Sequence, residues 1–177
     1  GEIISSISDI YNVGTFVQIQ NIFPQPSGVQ LLVMAHRRIT LTGITDFGPP
    51  TIGNIDHWSR PNLKNQQQTP LIKAYANELI SAVREVLKEN PLMQDQIRDW
   101  MARVDTSLSD PFKLADFAAT MTTAEASELQ KVLESKDVEE RLSLAMELIS
   151  KEREMIKIQK EISKQVEDKV NSQQREY

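Results

Sequence analysis

Glycine is confined to the first third of this 177-residue chain, and none occurs after Gly53. Because glycine permits tight turns and destabilises helix interiors, this distribution predicts two segments of different architecture. The first would be rich in turns and strands and the second helical, with the boundary in the polar stretch 62–68. The glycines are Gly1, Gly14, Gly28, Gly43, Gly48 and Gly53.

The segment before this boundary carries strand signals. Residues 15–20 alternate and are rich in β-branched and aromatic side chains, and residues 29–35 form a short apolar run. A turn sequence at 24–28 separates these runs, and a third run follows at 39–42. We therefore predict a hairpin that continues into a meander of three or four strands. A short helix is predicted before the sheet from the spacing of Ile3, Ile4, Ile7, Ile10 and Tyr11.

The segment after the boundary contains repeated helix starts. A capping residue stands directly before proline at Thr69, Asn90 and Asp110. The side chain of such a residue accepts a hydrogen bond from a free backbone N–H, while proline already has the geometry of the first helical position. Capping-box spacing predicts further starts at Thr122 and Asp137. Four apolar stripes follow: Leu71, Ile72, Tyr75, Leu79, Val83, Val86 and Leu87; Leu92, Met93, Ile97, Trp100, Met101 and Val104; Phe112, Leu114, Ala115, Phe117 and Ala118; Leu129, Val132 and Leu133.

A last helix is predicted from about Val138 to the end of the chain, because this stretch contains neither glycine nor proline. About 40 residues at ~1.5 Å each would span ~60 Å, which exceeds the length of a small bundle. Its second half has a thin apolar stripe between Lys and Glu residues, a pattern typical of a projecting helix or a coiled coil. The stripe consists of Met155, Ile158, Ile162, Val166 and Val170.

These patterns predict an α+β fold. We expect a partial β-rich domain over residues 1–65, a helical bundle over residues 66–137, and a long projecting helix over residues 138–177. A small sheet with open edges is a poor independent fold, so we expect that part of the β domain lies upstream.

The composition argues against several kinds of functional site. The chain has no cysteine, which rules out disulfides, zinc–thiolate sites and cysteine nucleophiles. Its two histidines have no second ligand at metal-binding spacing, and phosphate-loop and nucleophile-elbow motifs are absent. The formal net charge of -5 gives no indication of nucleic-acid binding, and no apolar run approaches the ~18 residues of a membrane span. We therefore expect a binding segment without catalytic, cofactor or metal residues.

Three features are candidate contacts for a partner. In the run 36–38, Arg37 and Arg38 would bind an anion or the carboxylates of an acidic peptide, or they would face solvent or form salt bridges within the fold at a strand end. Trp58 lies in a stretch predicted to be a loop, where it would either plug the domain junction or contact a partner. The third feature would contact another subunit or an unfolded polypeptide, or pack within the same protein; it comprises Met155, Ile158, Ile162 and Val166.

Several stretches, in this order and spacing, resemble one family. Residues 9–19 read Asp-Ile-Tyr-Asn-Val-Gly-Thr-Phe-Val-Gln-Ile, and residues 33–39 read Val-Met-Ala-His-Arg-Arg-Ile. Both resemble strand motifs of the amino-terminal domain of Lon proteases, although Ala35 stands where many relatives have glycine. Segments 114–119 and 128–134 resemble mitochondrial-type members, and 141–152, 158–162 and 174–177 resemble the helix that enters the ATPase module. The resemblance is weakest between Asp46 and Gln68.

The resemblance implies a PUA-like β domain whose early strands precede this chain. It also implies a parent that is an ATP-dependent serine endopeptidase, a homohexamer of the mitochondrial matrix that uses ATP and Mg²⁺ to degrade misfolded and selected proteins. This chain would be its substrate-recognition and assembly region, with unfolded proteins as partners. The alternatives are a cytoplasmic location and a stand-alone scaffold that dimerises through the long helix.

Overall fold

The computed structural model describes residues 3–59, 69–90, 94–95, 98 and 110–175, with side chains up to residue 172 in the last helix. The chain divides into two compact units, Gly1–Gln67 and Gln68–Tyr177. The described elements confirm the α+β class. They are strands β1 (Val13–Gln25), β2 (Gly28–Asp46) and β3 (Ile52–His57), and helices α1 (Pro70–Lys88), α2 (Pro111–Thr120), α3 (Ala126–Glu134) and α4 (Val138–Arg175).

The first unit is an antiparallel sheet in the order β1-β2-β3. The predicted hairpin is confirmed, but its turn is shorter than predicted because Pro24 already pairs with Val29. Gly28 closes the turn at a φ of 149°, a backbone conformation that other residues rarely adopt. The second and third predicted strands are one strand, β2, because two register shifts against β1 let the pairing continue without a break.

The chain enters the sheet through a 3-10 turn, Ile7–Asp9, and not through the predicted helix. The Asp9 carboxylate accepts hydrogen bonds from the backbone N–H groups of Ser5 and Ser6, both at 2.9 Å. These bonds, led by the one from Ser5, hold the pKa of Asp9 below its usual value. Serine and aspartate side chains compete for backbone partners in this way and favour a capped turn over a continuing helix.

Two predicted helix starts in the second unit are confirmed. The Thr69 hydroxyl accepts from the N–H of Ile72 at 3.2 Å, and Asp110 accepts from the N–H of Phe112 at 3.0 Å. In both cases the next residue is a proline in the first helical turn. The predicted start at Asn90–Pro91 and its stripe 92–104 fall outside the described residues.

The remaining starts differ in detail from the capping-box pattern. α3 begins after Glu125, whose N–H donates to Glu128 at 3.4 Å, so the predicted box at Thr122 is wrong. The Thr122 hydroxyl instead donates to the carbonyl of Ala119 at the end of α2. At α4, Asp137 accepts from the N–H of Glu140 at 2.9 Å, which is one half of the predicted box.

The core of the second unit lies between α1, α2 and the first three turns of α4, and α3 contributes Val132 to it. Leu71 was predicted to be part of it but is 51% exposed, since it occupies the outward side of the first turn of α1. The buried apolar residues of this core are Ile72, Leu79, Ala82, Val83, Val86, Phe112, Leu114, Ala115, Phe117, Ala118, Ala119, Met121, Val132, Val138, Leu142, Ala145, Leu148 and Ile149.

Removal of the α2 cap should weaken this unit. We expect Asp110→Ala to lower the free energy of unfolding by about 1 kcal/mol, because two N–H groups of α2 lose their acceptor. Asp168→Ala, at an exposed position of α4, should change it by less than about 0.5 kcal/mol. Urea unfolding followed by circular dichroism measures both. Equal losses in the two variants would show that the cap contributes nothing specific.

Candidate functional site

Four of the candidate contact residues lie on one side of α4, beyond its packed portion. We call Met155, Ile158, Ile162 and Val166 the α4 strip. Their side chains are 56, 44, 55 and 56% exposed, respectively. The strip extends over 12 residues of helix, about 16 Å. Every residue from Lys157 to Ser172 is exposed, so most of the strip lies on a part of α4 that extends beyond the core.

Ion pairs to α1 hold the opposite side of α4. Arg153 lies 2.7 Å from the Glu85 carboxylate and 3.7 Å from that of Glu78. About three turns beyond Ile149, the last buried residue of α4, Lys160 pairs with Glu89, which directly follows α1. Lys160 and Ile162 are two residues apart, about 200° around the helix, so these pairs orient α4 with the strip facing away from α1.

A second set of contacts ties the α2–α3 turn to α4 beside the start of the strip. Glu152 accepts from both the N–H and the hydroxyl of Thr123, each at 2.8 Å. Lys151 donates to Glu128 of α3 at 2.7 Å. The hydrogen bond from Lys151 lowers the pKa of Glu128, and the same bond raises the pKa of Lys151. These bonds hold the α2–α3 turn and α3 beside the end of the strip at which Met155 lies.

The other three candidate residues belong to the sheet. The Arg38 guanidinium lies 5.0 Å from the centre of the Trp58 ring. The backbone N–H of Trp58 donates to the backbone carbonyl of Arg38 at 3.1 Å. Trp58 is half-buried and directly follows β3. Of the loop predicted for residues 56–61, Asp56 and His57 belong to β3, Trp58 and Ser59 lie outside any strand or helix, and residues 60–61 fall outside the described residues. Arg37 is exposed and, as the adjacent strand residue, faces the other side of the sheet. The two arginines therefore do not grip one carboxylate together.

The Arg37 side of the sheet carries residues that the sequence did not bring together. Phe16 is the direct cross-strand partner of Arg37. The rings of His36 and His57 flank Phe16, with centroids 6.3 and 6.0 Å away, and His36 hydrogen-bonds Gln18 at 3.3 Å. We call Phe16, Gln18, His36, Arg37 and His57 the basic–aromatic patch. Its assembly depends on the strand register and on β3, neither of which the sequence pattern revealed.

A buried arginine was also missed. Arg141 is 1% exposed, and its Nε donates to the carbonyl of Ser135 at 2.9 Å, a bond that Nη2 reinforces. Its Nη1 lies 3.6 Å from an oxygen of Asp116, and the guanidinium stacks 4.7 Å from the centre of the Phe112 ring. Its burial could have been predicted from helical spacing, because Arg141 follows Val138 by three residues and so lies on the same, core-facing side of α4.

The described residues contain no group of three or more His, Cys, Asp or Glu residues that could hold a metal ion. Among the helices in that part of the chain, none has the length and apolarity needed to cross a membrane.

Comparison with known proteins identifies the family. Residues 1–151 match the family model described as the ATP-dependent protease La (LON) substrate-binding domain. The chain is 42% identical to a mitochondrial Lon protease homolog of Phaeodactylum tricornutum, over 99% of this chain and 20% of that protein. It is 30% identical to the Lon protease of Magnetococcus marinus, over 100% and 22%. Thus it spans about a fifth of these relatives.

A solved structure supports the same fold. The N-terminal domain of Mycobacterium avium complex Lon protease superposes with a TM-score of 0.57 at 21% identity, over 79% of this chain and 70% of that one. At this identity the likeness concerns the fold, and the family follows from the match over residues 1–151. This chain belongs to the family of Lon substrate-binding domains.

Proposed function

We propose that this chain is the substrate-recognition and subunit-assembly region of an ATP-dependent serine protease that degrades misfolded and selected proteins. Membership of a substrate-binding family supports a role in contacting protein substrates. The observation that carries the proposal is the α4 strip, because four large apolar side chains stand exposed on one side of a helix. Contiguous exposed apolar residues of this kind mark surfaces that bind partners.

The energetics favour a partner over a purely solvated helix. Charged pairs at contact spacing along a helix contribute only ~0.2–0.5 kcal/mol each, and a helix in water needs no large apolar side chains. Burial of one such side chain contributes about 1.5–3 kcal/mol. Since the ion pairs of Arg153 and Lys160 already orient α4, binding at the strip would require little further ordering.

Several properties of the parent belong to the same proposal. Relatives named as mitochondrial Lon proteases support a mitochondrial matrix location, and a bacterial relative is the reason for keeping the cytoplasm as the alternative. We propose a homohexamer that uses ATP and Mg²⁺ in modules outside this chain. The alternative is a stand-alone scaffold. A phosphate-loop motif soon after Tyr177 in the coding sequence would support the protease, and a stop codon there would support the scaffold.

The α4 strip can be tested in the full-length parent. We expect simultaneous replacement of Met155, Ile158, Ile162 and Val166 by Ser or Gln to reduce hexamer assembly or degradation of folded substrates at least about tenfold. This is the effect of losing a single buried apolar side chain, so partial burial of all four suffices. Cleavage of a short peptide should decline less, because such a substrate needs no unfolding.

A matched control lies on the same helix. Lys157, Glu161, Lys164 and Asp168 are exposed on another side of α4 and sum to no net charge, so their replacement by Ser or Gln changes the same number of residues. This control should assemble and degrade at the parental rate. If the strip variant does so as well, the α4 strip is a solvated helix face and has no role between molecules.

A further inference from the structure

We infer that the basic–aromatic patch binds acidic, extended polypeptide segments in which an apolar or aromatic residue stands beside carboxylates. The inference rests on the proposed function only in naming these segments as parts of protein substrates. It concerns the Arg37 side of the sheet, in the unit that does not contain the α4 strip.

The geometry supplies an apolar contact and polar groups on one surface. Phe16 is 43% exposed, although the His36 and His57 rings stand on either side of it. Arg37 lies directly across from Phe16 on the neighbouring strand, and paired residues of adjacent strands share a face. A ligand that covers Phe16 therefore lies within reach of the Arg37 guanidinium and of the polar atoms of Gln18 and His36.

The charge distribution selects an anionic ligand. Residues 10–36 contain no Asp, Glu, Lys or Arg, so Arg37 is the first charged residue after Asp9. No ion pair to Arg37 occurs within the described ranges. The nearest acidic residue in the sheet, Asp56, pairs with Thr40 and thus faces the side opposite to His57. The positive charge of Arg37 remains available on this side, and a planar guanidinium can bind a carboxylate through two parallel hydrogen bonds.

The patch favours a peptide over a nucleic acid. A phosphate backbone is held by several Lys and Arg residues along a groove, whereas the patch offers one arginine beside an aromatic ring. A single exposed ion pair contributes little by itself, so the ligand must also cover Phe16. Both requirements are met by an extended segment with a carboxylate next to an aromatic or large apolar side chain.

The test uses the whole chain and a fluorescently labelled twelve-residue peptide that alternates Glu with Phe and Ala. Fluorescence anisotropy should show binding that weakens with added salt, and a peptide with Gln for Glu should bind at least about threefold more weakly. Arg37→Gln should weaken binding of the acidic peptide about three- to fivefold and abolish its preference over the Gln peptide. Phe16→Thr, which removes the aromatic ring but introduces a β-branched residue compatible with a strand, should weaken binding of both peptides about fivefold.

Lys136→Gln is the matched control, since it removes one positive charge from an exposed position in the other unit. It should bind as the parent chain does. If Arg37→Gln retains the preference for the acidic peptide, or if Lys136→Gln weakens binding equally, the patch is not the binding site. Tighter binding of a twelve-nucleotide single strand than of the acidic peptide would also overturn the inference.

Failure of the patch and failure of the proposed function are separable. The α4 strip variant in the full-length parent reports on assembly and degradation without reference to the sheet. Normal peptide binding by the patch together with a strip variant of parental activity would leave the patch as an acidic-peptide site and refute the role proposed for the strip. Loss of activity in the strip variant, together with no effect of Arg37→Gln on peptide binding, would support the role proposed for the strip and refute the patch as an acidic-peptide site.

Discussion

Replacement of Arg141 by alanine is expected to lower the free energy of unfolding of the helical unit by about 3–5 kcal/mol. The guanidinium is buried, donates to the Ser135 carbonyl and stacks on Phe112. Its removal leaves a buried carbonyl without its donors, which costs about 1–3 kcal/mol, and opens a cavity against an aromatic ring. Urea unfolding monitored by far-UV circular dichroism measures the loss.

Two companion variants separate the causes of this loss. Asp116→Asn should cost less than about 1 kcal/mol, because the carboxylate is 38% exposed and lies 3.6 Å from Arg141, so the pair is partly solvated. Arg141→Lys retains the charge but lacks the planar fork and the stacking surface, so it should be intermediate. A loss in Asp116→Asn as large as that in Arg141→Ala would show that the ion pair dominates, contrary to our expectation.

Replacement of Gly53 by alanine is expected to destabilise the sheet by about 1–3 kcal/mol, the usual cost of forcing an extra group into a packed site. A Cβ at this position would lie 2.7 Å from Leu41 Cδ1 and 2.8 Å from the backbone oxygen of Gly43. The side chain of Leu41 can move, but the backbone of β2 can yield only by giving up its pairing with β3. Faster amide hydrogen exchange in β3 is the expected signature.

Gly43→Ala is the control for this variant. Apart from Gly43 itself and its two chain neighbours, no atom lies within 4 Å of the Cβ that this substitution would add, and φ is not in the left-handed region. It should change stability by less than about 0.5 kcal/mol, or increase it slightly by restricting the unfolded chain. Equal effects of the two substitutions would indicate that glycine flexibility, and not close approach, is what β2–β3 pairing requires.

The helical unit was largely predictable because its signals are local. A cap followed by proline at Thr69 and Asp110 determines a helix start from adjacent residues alone. The start of α4 at Val138 is also locally encoded, by the Asp137 side chain that accepts from the N–H of Glu140. Thr122 misled the prediction because its hydroxyl bonds backward to Ala119 and closes α2. A threonine at that spacing is compatible with either role, and tertiary packing selects one.

The sheet was less predictable because strand pairing is not encoded locally. β3 contains Gly53, Asn54 and Asp56, residues that are uncommon in strands, and it forms through pairing with β2. The α4 strip could be read from its helical spacing, whereas the basic–aromatic patch unites residues up to 41 positions apart, from Phe16 to His57. No periodicity in the sequence connects such residues.

Because α4 is continuous, a small change in its direction near the bundle produces a larger displacement at its far end. The helix runs without a break from Val138, in the core, to Arg175, and its last described ion pair to α1 is that of Lys160. The 15 residues beyond Lys160 extend about 22 Å, so a tilt of about 10° at this point would displace the far end by about 4 Å. Loss of the Lys160–Glu89 pair would therefore allow the end of α4 beyond Lys160, which carries Val166, to shift while the buried contacts of the bundle remain in place.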